Sequence, residues 1–119
     1  MEKQAGHTSK KACGNKLLAA RDAMDILSGK WKIPIMGAMM RSPEPMRFMD
    51  LKRALNGITP KVLSHNLQDL EINGLVSREV KDTKPITVEY QITEYGKTLG
   101  NVIESIIIWG EMHRKRILQ

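Results

Sequence analysis

The segment Ile58-Thr-Pro-Lys-Val-Leu-Ser-His-Asn-Leu-Gln-Asp-Leu-Glu-Ile-Asn-Gly-Leu-Val76 decides the fold of this chain, because its ends and its periodicity define one amphipathic helix. Thr59 before Pro60 predicts the start: the threonine hydroxyl can accept a hydrogen bond from an unpaired backbone N–H, and proline loses nothing at a first helical position. Asn73-Gly74 predicts the end. Helical spacing of the leucines predicts a buried stripe at Leu63, Leu67 and Leu70.

The opposite face of this predicted helix carries side chains that can donate hydrogen bonds, namely Lys61, Ser64, His65 and Gln68. A helix that buries leucines and presents compact polar donors can lie in the major groove of DNA. The same pattern is also typical of an ordinary surface helix whose polar face is solvated. The neighbouring segments therefore have to decide between these interpretations.

Composition sets the outer limits of the interpretation. The chain has 119 residues, which indicates one domain, and its net charge of +6 favours an anionic partner without requiring one. A single cysteine excludes an intramolecular disulfide framework. No run of about 18 apolar residues and no signal-peptide pattern is present, so we expect a cytoplasmic protein that does not associate with a membrane.

The segments before the central helix predict a short arm and three helices. Residues 1–14 are polar and punctuated by glycine, so they predict a flexible N-terminal arm, with the folded domain at residues 15–119. A first helix is expected over residues 15–28. A second opens near Lys30-Trp31-Lys32 and ends before Ser42-Pro43, and Pro34 requires that it begin near Ile33 or be distorted in its first turn. Its inward residues are expected to be Ile35, Met36 and Met39.

A third short helix is expected over residues 46–56, with Phe48, Leu51 and Leu55 inward. The tight turn Asn56-Gly57-Ile58 then leads into the central helix. Two short helices joined by a glycine-containing turn, the second with a polar outer face, are the pattern of a helix-turn-helix. A plain helical hairpin is the alternative.

A β-hairpin is expected after Gly74. Residues 75–81 are rich in valine, and residues 87–92 alternate between apolar and polar side chains. The turn between these runs carries Lys81 and Lys84, positioned like a wing that touches phosphate or the minor groove. Lysines at a hairpin tip also serve solubility alone, so this assignment depends on the neighbouring helix.

A last helix is expected from Thr93 to about Lys115, roughly 33 Å at 1.5 Å per residue. Its apolar surface is wider than one small domain covers. The same helix of a second subunit is the expected cover, with Gly100 and Gly110 allowing close approach of the backbones. The alternative is that the first helix covers the excess within one chain. The expected homodimer interface comprises Leu99, Val102, Ile103, Ile106, Ile107 and Trp109.

Enzymatic patterns are absent from the sequence. The three histidines lie far apart without metal-ligand spacing, and no phosphate-binding glycine loop, nucleophile elbow or paired-carboxylate constellation occurs. We therefore expect no catalytic activity, no metal and no cofactor.

Taken together, several ordered motifs resemble the HxlR family of MarR-like winged helix-turn-helix transcriptional regulators. They cover nearly the whole chain from Cys13 onward. They are Leu27-Ser-Gly-Lys-Trp-Lys-Ile33, Arg47-Phe48 with Leu51, Gly57-Ile-Thr-Pro-Lys-Val-Leu-Ser64, Leu67-Gln-Asp-Leu-Glu-Ile-Asn-Gly-Leu-Val76, Glu89-Tyr-Gln-Ile-Thr-Glu-Tyr-Gly96 and Trp109-Gly110.

The resemblance implies an α+β, mostly α fold: a winged helix-turn-helix with a two-stranded wing and a long C-terminal dimerisation helix. It also implies a homodimeric, sequence-specific regulator of transcription, a repressor by expectation, that binds an inverted repeat in double-stranded DNA. By position, Lys61, Ser64, His65 and Gln68 would face base edges, while Arg47, Thr59 and Lys84 would face phosphate. His65 is the least determined of these residues, since it can contact a base, donate to phosphate or only fill the helix surface.

Three departures from the family pattern concern sensing and local helix geometry. Many family members have Cys-Pro where this chain has Cys13-Gly14, often Ser or Asn where Met49 stands, and usually an aliphatic residue at Pro34. Some relatives sense oxidants or electrophiles through a cysteine in the region of Cys13. The surrounding lysines would favour its reactive thiolate, so Cys13 is a candidate redox sensor for an oxidant or small-molecule effector. An incidental thiol is the alternative.

A winged-helix module that binds another protein instead of DNA is the competing functional class. Such a module would more often present large apolar residues on the outer face of the central helix. Lys61, Ser64 and Gln68 are polar, which favours the DNA-binding interpretation.

Overall fold

The computed structural model describes the backbone of residues 6–119 and the side chains from residue 14 onward. Within that range the elements, in chain order, are α1 (Gly6–Ile26), α2 (Lys32–Arg41), β1 (Met46–Arg47), α3 (Phe48–Ala54), α4 (Pro60–Ile72), β2 (Val76–Lys81), β3 (Thr87–Ile92), α5 (Glu94–Lys97) and α6 (Gly100–Leu118). Helices α3 and α4 form the helix-turn-helix, and the strands form the wing beside it. The fold is therefore the predicted winged helix-turn-helix.

Helix α4 has the start, the stop and the buried stripe that its sequence predicts. The Thr59 hydroxyl accepts a hydrogen bond from the Val62 N–H at 3.3 Å, and Pro60 occupies the first helical position. Gly74 follows the helix with φ of +75°, a conformation that glycine adopts without strain. Leu63, Leu67 and Leu70 are all buried in the core, so the prediction for this helix is confirmed.

The sheet has one more strand than expected. The predicted hairpin is present, with β2 and β3 paired antiparallel from Val76 opposite Ile92 to Lys81 opposite Thr87. In addition β1 pairs with the other edge of β3, so that the strand order is β1-β3-β2. The expected helix over residues 46–56 is therefore wrong at its start, since Met46 and Arg47 form a strand. Their partners, Tyr90 and Glu89, lie far along the chain, where local periodicity carries no signal.

Helices α2 and α3 accommodate the two unusual residues near their starts. Helix α2 begins at Lys32, so Pro34 lies in the first turn, where a backbone N–H has no partner within the helix. Helix α3 begins at Phe48, which places Met49 inside the helix and not at its N-cap. The Asp50 carboxylate accepts a hydrogen bond from the Arg47 N–H at 3.2 Å, so this end is satisfied without a residue of capping type at position 49.

The single C-terminal helix that the sequence predicts is divided into α5 and α6. Thr93 does act as an N-cap: its hydroxyl accepts from the Gly96 N–H at 2.9 Å and donates to the Gly74 carbonyl oxygen at 2.6 Å. A Cβ atom at Gly96 would collide with the backbone carbonyl of Leu75. These contacts hold α5 against the turn before β2, and Thr98 and Leu99 then redirect the chain into α6.

Helix α1 begins earlier than expected. Its first described residue is Gly6, whereas the sequence predicts a helix only from Asn15, so the predicted start of this helix is wrong. That residues 6–14 move as a flexible arm stays a prediction. Lysine and alanine in this stretch are good helix formers, and no proline interrupts it. The prediction of a flexible arm at residues 1–5 falls outside the described residues.

The core lies between α2, α3, α4 and the sheet, and α6 contributes one fully buried residue to it. That residue is Ile103, which is 0% exposed within its own chain. Its predicted place in a dimer interface is therefore wrong, because neighbouring core side chains already cover it. Ile107 is partly buried and packs against the same core. The buried apolar residues are Leu27, Ile35, Met36, Met39, Leu51, Leu55, Ile58, Leu63, Leu67, Leu70, Leu75, Val76, Ile92 and Ile103.

Candidate nucleic-acid interface

The outer face of α4 presents the side chains that the sequence singles out. Lys61, Ser64, His65 and Gln68 are all exposed, while the leucines one position away from them are buried. This separation follows from the helical period, since positions i, i+3, i+4 and i+7 share one face. The structure thus brings these four donors together on one exposed edge, which we call the α4 polar face.

Three further predicted residues lie outside the α4 polar face. Thr59 is at the N-terminal end of α4, where its hydroxyl caps the helix. Arg47 is exposed at the junction of β1 and α3, opposite Glu89 of β3. Lys84 is exposed in the loop between β2 and β3, at the tip of the wing. These residues therefore lie at a helix start, at a sheet edge and at a loop tip, all positions from which a side chain can reach a phosphate backbone.

Acidic neighbours do not neutralise the lysines of this surface. Within the part of the chain whose side chains are described, no carboxylate lies within 4.0 Å of the Lys61 or the Lys84 ammonium group. Lys81, nearer the base of the wing, lies 3.6 Å from the Glu79 carboxylate. No described carboxylate therefore competes at close range with an anionic partner for these two ammonium groups.

A buried ammonium group lies beneath the α4 polar face and was missed in the sequence. Lys32, the first residue of α2, is only 7% exposed. Its Nζ donates to Asn66 Oδ1 at 3.1 Å and to the Ser28 carbonyl oxygen at 3.4 Å, and it lies 3.2 Å from Asp69 Oδ2. Two of the three N–H groups of the ammonium thus donate hydrogen bonds, and the Asp69 carboxylate supplies the opposite charge. The one signal in the sequence is that the helical period places Asn66 on the buried side of α4, together with the leucines, where a polar side chain needs a partner.

The cluster extends to the exposed side of the helix through Asp69. The same oxygen, Asp69 Oδ2, lies 3.5 Å from Nε2 of His65, whose side chain is 72% exposed. The Asn66 amide is itself held in place, because its Nδ2 donates to the Val62 carbonyl oxygen at 2.8 Å. Asp69 is thus shared between a buried cation and a candidate DNA-reading residue.

A second exposed surface lies on α1 and α6. The side chains of α1 are exposed from residue 14 to residue 25. Among its described side chains Ile26 packs against the core, and Leu27, directly after the helix, is buried in it. On α6, Trp109 is 60% exposed and stacks on His113 with ring centroids 5.0 Å apart. The large exposed apolar side chains of the two helices are Leu17, Leu18, Met24, Val102, Ile106, Ile108, Trp109, Met112, Ile117 and Leu118. We call this set the α1–α6 apolar surface.

The shape of the protomer agrees with two helices that extend away from the core. The radius of gyration is 17.9 Å, whereas a compact domain of this length has one of roughly 13.5 Å. Side chains as large as Ile106 and Trp109 thus stay uncovered within the protomer. Helix α1 therefore does not cover α6 in the way that the monomeric alternative requires.

Other classes of site have no counterpart in the described part of the chain. Among those residues, no three histidine, cysteine, aspartate or glutamate side chains are grouped as they would be around a metal ion. None of the described helices combines the length and the apolar composition that crossing a membrane requires. Cys13, the candidate redox sensor, lies in α1, but its side chain is outside the described residues.

Comparison with protein families places most of the chain within one group. Residues 26–117 match the family described as HxlR-like helix-turn-helix. The HTH-type transcriptional regulator YtcD of Bacillus subtilis is 31% identical to this chain over 100 residues, which cover 84% of this chain and 78% of YtcD. Both the helix-turn-helix and the C-terminal helix fall within the matched range.

Solved structures with the same fold include one protein described as a redox regulator and one described in reduced and diamide-treated forms. The redox regulator HypR in its oxidised form has a TM-score of 0.74 and 34% identity, covering 79% of this chain and 95% of that one. The reduced form of the transcriptional regulator YodB from B. subtilis has a TM-score of 0.67 and 30% identity, covering 76% of this chain and 87% of that one. A diamide-treated form of YodB is also similar, with a TM-score of 0.65 and 29% identity over 77% of this chain and 89% of that one.

Proposed function

Because this chain belongs to the HxlR-like helix-turn-helix family and is a transcriptional regulator of the HTH type, we propose that it acts as a homodimer that reads an inverted-repeat operator in double-stranded DNA through α4. Repression is the output that we propose, as the resemblance to the family implies. The observation that carries the proposal is the α4 polar face: four exposed hydrogen-bond donors on a helix whose opposite side is fully buried.

The α4 polar face supports sequence reading by direct contacts to base edges. Glutamine can pair with adenine through two hydrogen bonds, and lysine can donate to guanine O6 and N7, each good pairing being worth about 1–3 kcal/mol of discrimination. Gln68 and Lys61 carry these groups on the exposed side of α4. We assign base reading to Gln68 and Lys61, with Ser64 and His65 as further contacts on the same edge.

Arg47, Thr59 and Lys84 are assigned to the phosphate backbone. Contacts of lysine and arginine with phosphate release counterions, which contributes affinity but no sequence information. Lys84 in particular has no described carboxylate within 4.0 Å of its ammonium group, so this group can approach a phosphate from the wing tip. These residues would fix the register in which α4 enters the groove.

The α1–α6 apolar surface supports the dimer. A two-fold pair of subunits would bury side chains such as Val102, Ile106 and Trp109, which stay exposed in one protomer. Such a pair reads two half-sites about 34 Å apart, one turn of DNA, if its two copies of α4 lie on the same side. Dimerisation and operator reading are thus parts of one proposal.

The experiment that tests base reading compares Gln68→Ala with Lys84→Ala. Gln68→Ala is expected to alter preference at one base pair in each half-site, because only that side chain's base contacts are removed. Lys84→Ala is expected to weaken binding to all sequences alike and to reduce the slope of log K against log salt by about 1. Binding-site selection and salt titrations with each variant measure both effects, and identical profiles would refute this division of roles.

The protein-binding module is the competing function, and one titration separates it from DNA binding. The wild-type protein is titrated with random duplex DNA at two salt concentrations. Binding to DNA releases counterions from the phosphates. The entropy gained by this release falls as the salt concentration rises, so a DNA-binding protein loses affinity steeply. Absence of salt-dependent binding would favour the module.

We further propose that Cys13 makes operator binding sensitive to oxidants or electrophiles. The support is the similarity to proteins described as a redox regulator and as a diamide-treated regulator. The chain has one cysteine, so a disulfide would have to join two subunits, and a small-molecule adduct is the alternative product. Diamide or a quinone should change operator binding by the wild type but not by Cys13→Ser, and equal responses would refute the proposal.

A further inference from the structure

We propose that Lys32 is a positioning residue for DNA reading: its buried ammonium holds Asp69, and Asp69 in turn orients the His65 ring on the α4 polar face. This inference depends on the proposed function, because it specifies how one reader of the operator is held. It requires no contact between Lys32 and DNA.

The first step is the placement of the Lys32 ammonium. It comes from α2 and reaches across to α4, where it bonds Asn66 Oδ1 at 3.1 Å and pairs with Asp69 Oδ2 at 3.2 Å. Lys32 and Asn66 are both buried, so water does not compete strongly for the bond between them, whereas the Asp69 side chain is partly exposed. One ammonium group on α2 thus contacts two residues of α4 that are three positions apart. Two such contacts restrict the rotation of α4 about its own axis as well as its distance from α2.

The second step is the orientation of the amide. Asn66 Nδ2 donates to the Val62 carbonyl oxygen at 2.8 Å, which leaves Oδ1 as the atom that faces Lys32. The amide can therefore accept the ammonium only in this one orientation. Asn66 and Lys32 define each other's positions.

The third step concerns the charge of Asp69, which is a carboxylate on a helix that we assign to DNA. An uncompensated carboxylate there would repel phosphate. The Lys32 ammonium compensates it from the core side, so Asp69 can occupy α4 without opposing an anionic partner.

The last step links Asp69 to the reader. Asp69 Oδ2 lies 3.5 Å from His65 Nε2, and the two residues are one helical turn apart. The Asp69 carboxylate therefore lies beside one defined ring nitrogen, Nε2, and limits the orientations that the His65 ring can adopt on the α4 polar face. The same oxygen, Asp69 Oδ2, faces the Lys32 ammonium. Removal of the ammonium would therefore let the Asp69 carboxylate move, and the orientation of the His65 ring would change with it.

The test measures base preference by binding-site selection with full-length protein. Lys32→Met and Asp69→Asn are compared with His65→Gln, and Lys30→Met is the matched control because Lys30 is an exposed lysine two positions away. Lys32→Met and Asp69→Asn should each reduce the ratio of affinities for the preferred and the other bases on the order of tenfold. The reduction should occur at the same base pair of each half-site as in His65→Gln. Lys30→Met should leave the preferences unchanged. Uniform weakening by Lys32→Met with wild-type preference at every position would reduce Lys32 to a structural residue and overturn the proposal.

Two further measurements keep the outcome interpretable. If Lys32→Met does not fold, Asp69→Asn carries the test alone, since the bond between Lys32 and Asn66 remains; wild-type preferences in Asp69→Asn would then overturn the proposal. The ¹⁵N chemical shifts of the His65 ring, recorded without DNA, should change in Asp69→Asn but not in Gln68→Ala. If the wild type binds no DNA, the proposed function fails, and these shifts still decide whether Asp69 orients His65. Unchanged shifts would refute the positioning role by themselves.

Discussion

Helices α4 and α6 are both amphipathic, but the chain covers their apolar faces to very different extents. In α4 the stripe Leu63, Leu67 and Leu70 is buried in the core of the same protomer. In α6, which is longer, only Ile103 is buried, and side chains such as Ile106 and Trp109 stay exposed. The orientation of the candidate reading helix is therefore determined within one chain, whereas the apolar side of α6 stays open in the protomer, and we propose that a second copy of the chain covers it.

The largest effect on stability is expected in α4, whose apolar stripe is buried within the protomer. Leu67 is 1% exposed, so Leu67→Ala leaves a cavity and should lower the free energy of unfolding by about 2–5 kcal/mol. Gln68→Ala, at the next position on the exposed face, should change it by less than about 0.5 kcal/mol. Urea unfolding at one fixed protein concentration measures both, because a dimer's stability depends on concentration. Equal losses for the two variants would contradict the assigned faces.

The next effect is on the uncovered side. Ile106→Glu would place an unpaired charge in the proposed interface and should weaken self-association on the order of 100-fold. The fold of the protomer should survive, because Ile106 is 41% exposed. Sedimentation equilibrium measures the association constant, and circular dichroism checks the fold. Asn101→Glu, a polar position on the same helix, serves as the control, and unchanged association in both variants would remove α6 from the interface.

A third prediction concerns the boundary between the covered and the uncovered part. Gly96 in α5 approaches the Leu75 carbonyl so closely that an added methyl group must displace the backbone. Gly96→Ala should therefore cost about 1–3 kcal/mol of stability. Gly14 in α1 has open space around it, and Gly14→Ala should be neutral or stabilising by up to about 1 kcal/mol. Thermal unfolding compares them, and a tolerated Gly96→Ala would show that α5 is not held against the β2 turn.

The smallest effect is expected for the exposed link between α2 and α6. Arg41 donates to the Glu104 carboxylate at 2.8 Å, and both side chains are about half exposed. Such pairs contribute about 0.2–1 kcal/mol because water and salt screen them. A double-mutant cycle with Arg41→Ala and Glu104→Ala measures the coupling. A coupling well above that range would mean that charge, and not Ile103, attaches α6 to the core.

The parts of the fold that follow local periodicity could be predicted from the sequence. The stripe of α4, the Thr59 cap and the Asn73-Gly74 stop all depend on spacings within a few residues, and the structure contains each of them. The hairpin was predictable for the same reason, since its strands are separated by a short turn. The exposure of the α4 polar face follows once the buried stripe is known.

The parts that depend on distant partners were not predictable in this way. Met46 and Arg47 form a strand only because β3, more than forty positions later, provides an edge to pair with. Ile103 has the same spacing as the exposed residues of α6, but in the folded protein it faces Gly37 of α2 and is a core residue. Lys32 resembles any other lysine of a basic chain until the fold brings Asn66, 34 positions away, to its ammonium. These contacts are set by tertiary structure, not by pattern.

Selection of DNA fragments by the purified full-length protein tests the central claim most directly. If two copies of α4 are presented by one dimer, the recovered sites should be inverted repeats whose half-site centres are about 10 base pairs, or a multiple of that, apart. Recovery of isolated half-sites, or no enrichment over the input library, would contradict a dimer that reads DNA through α4.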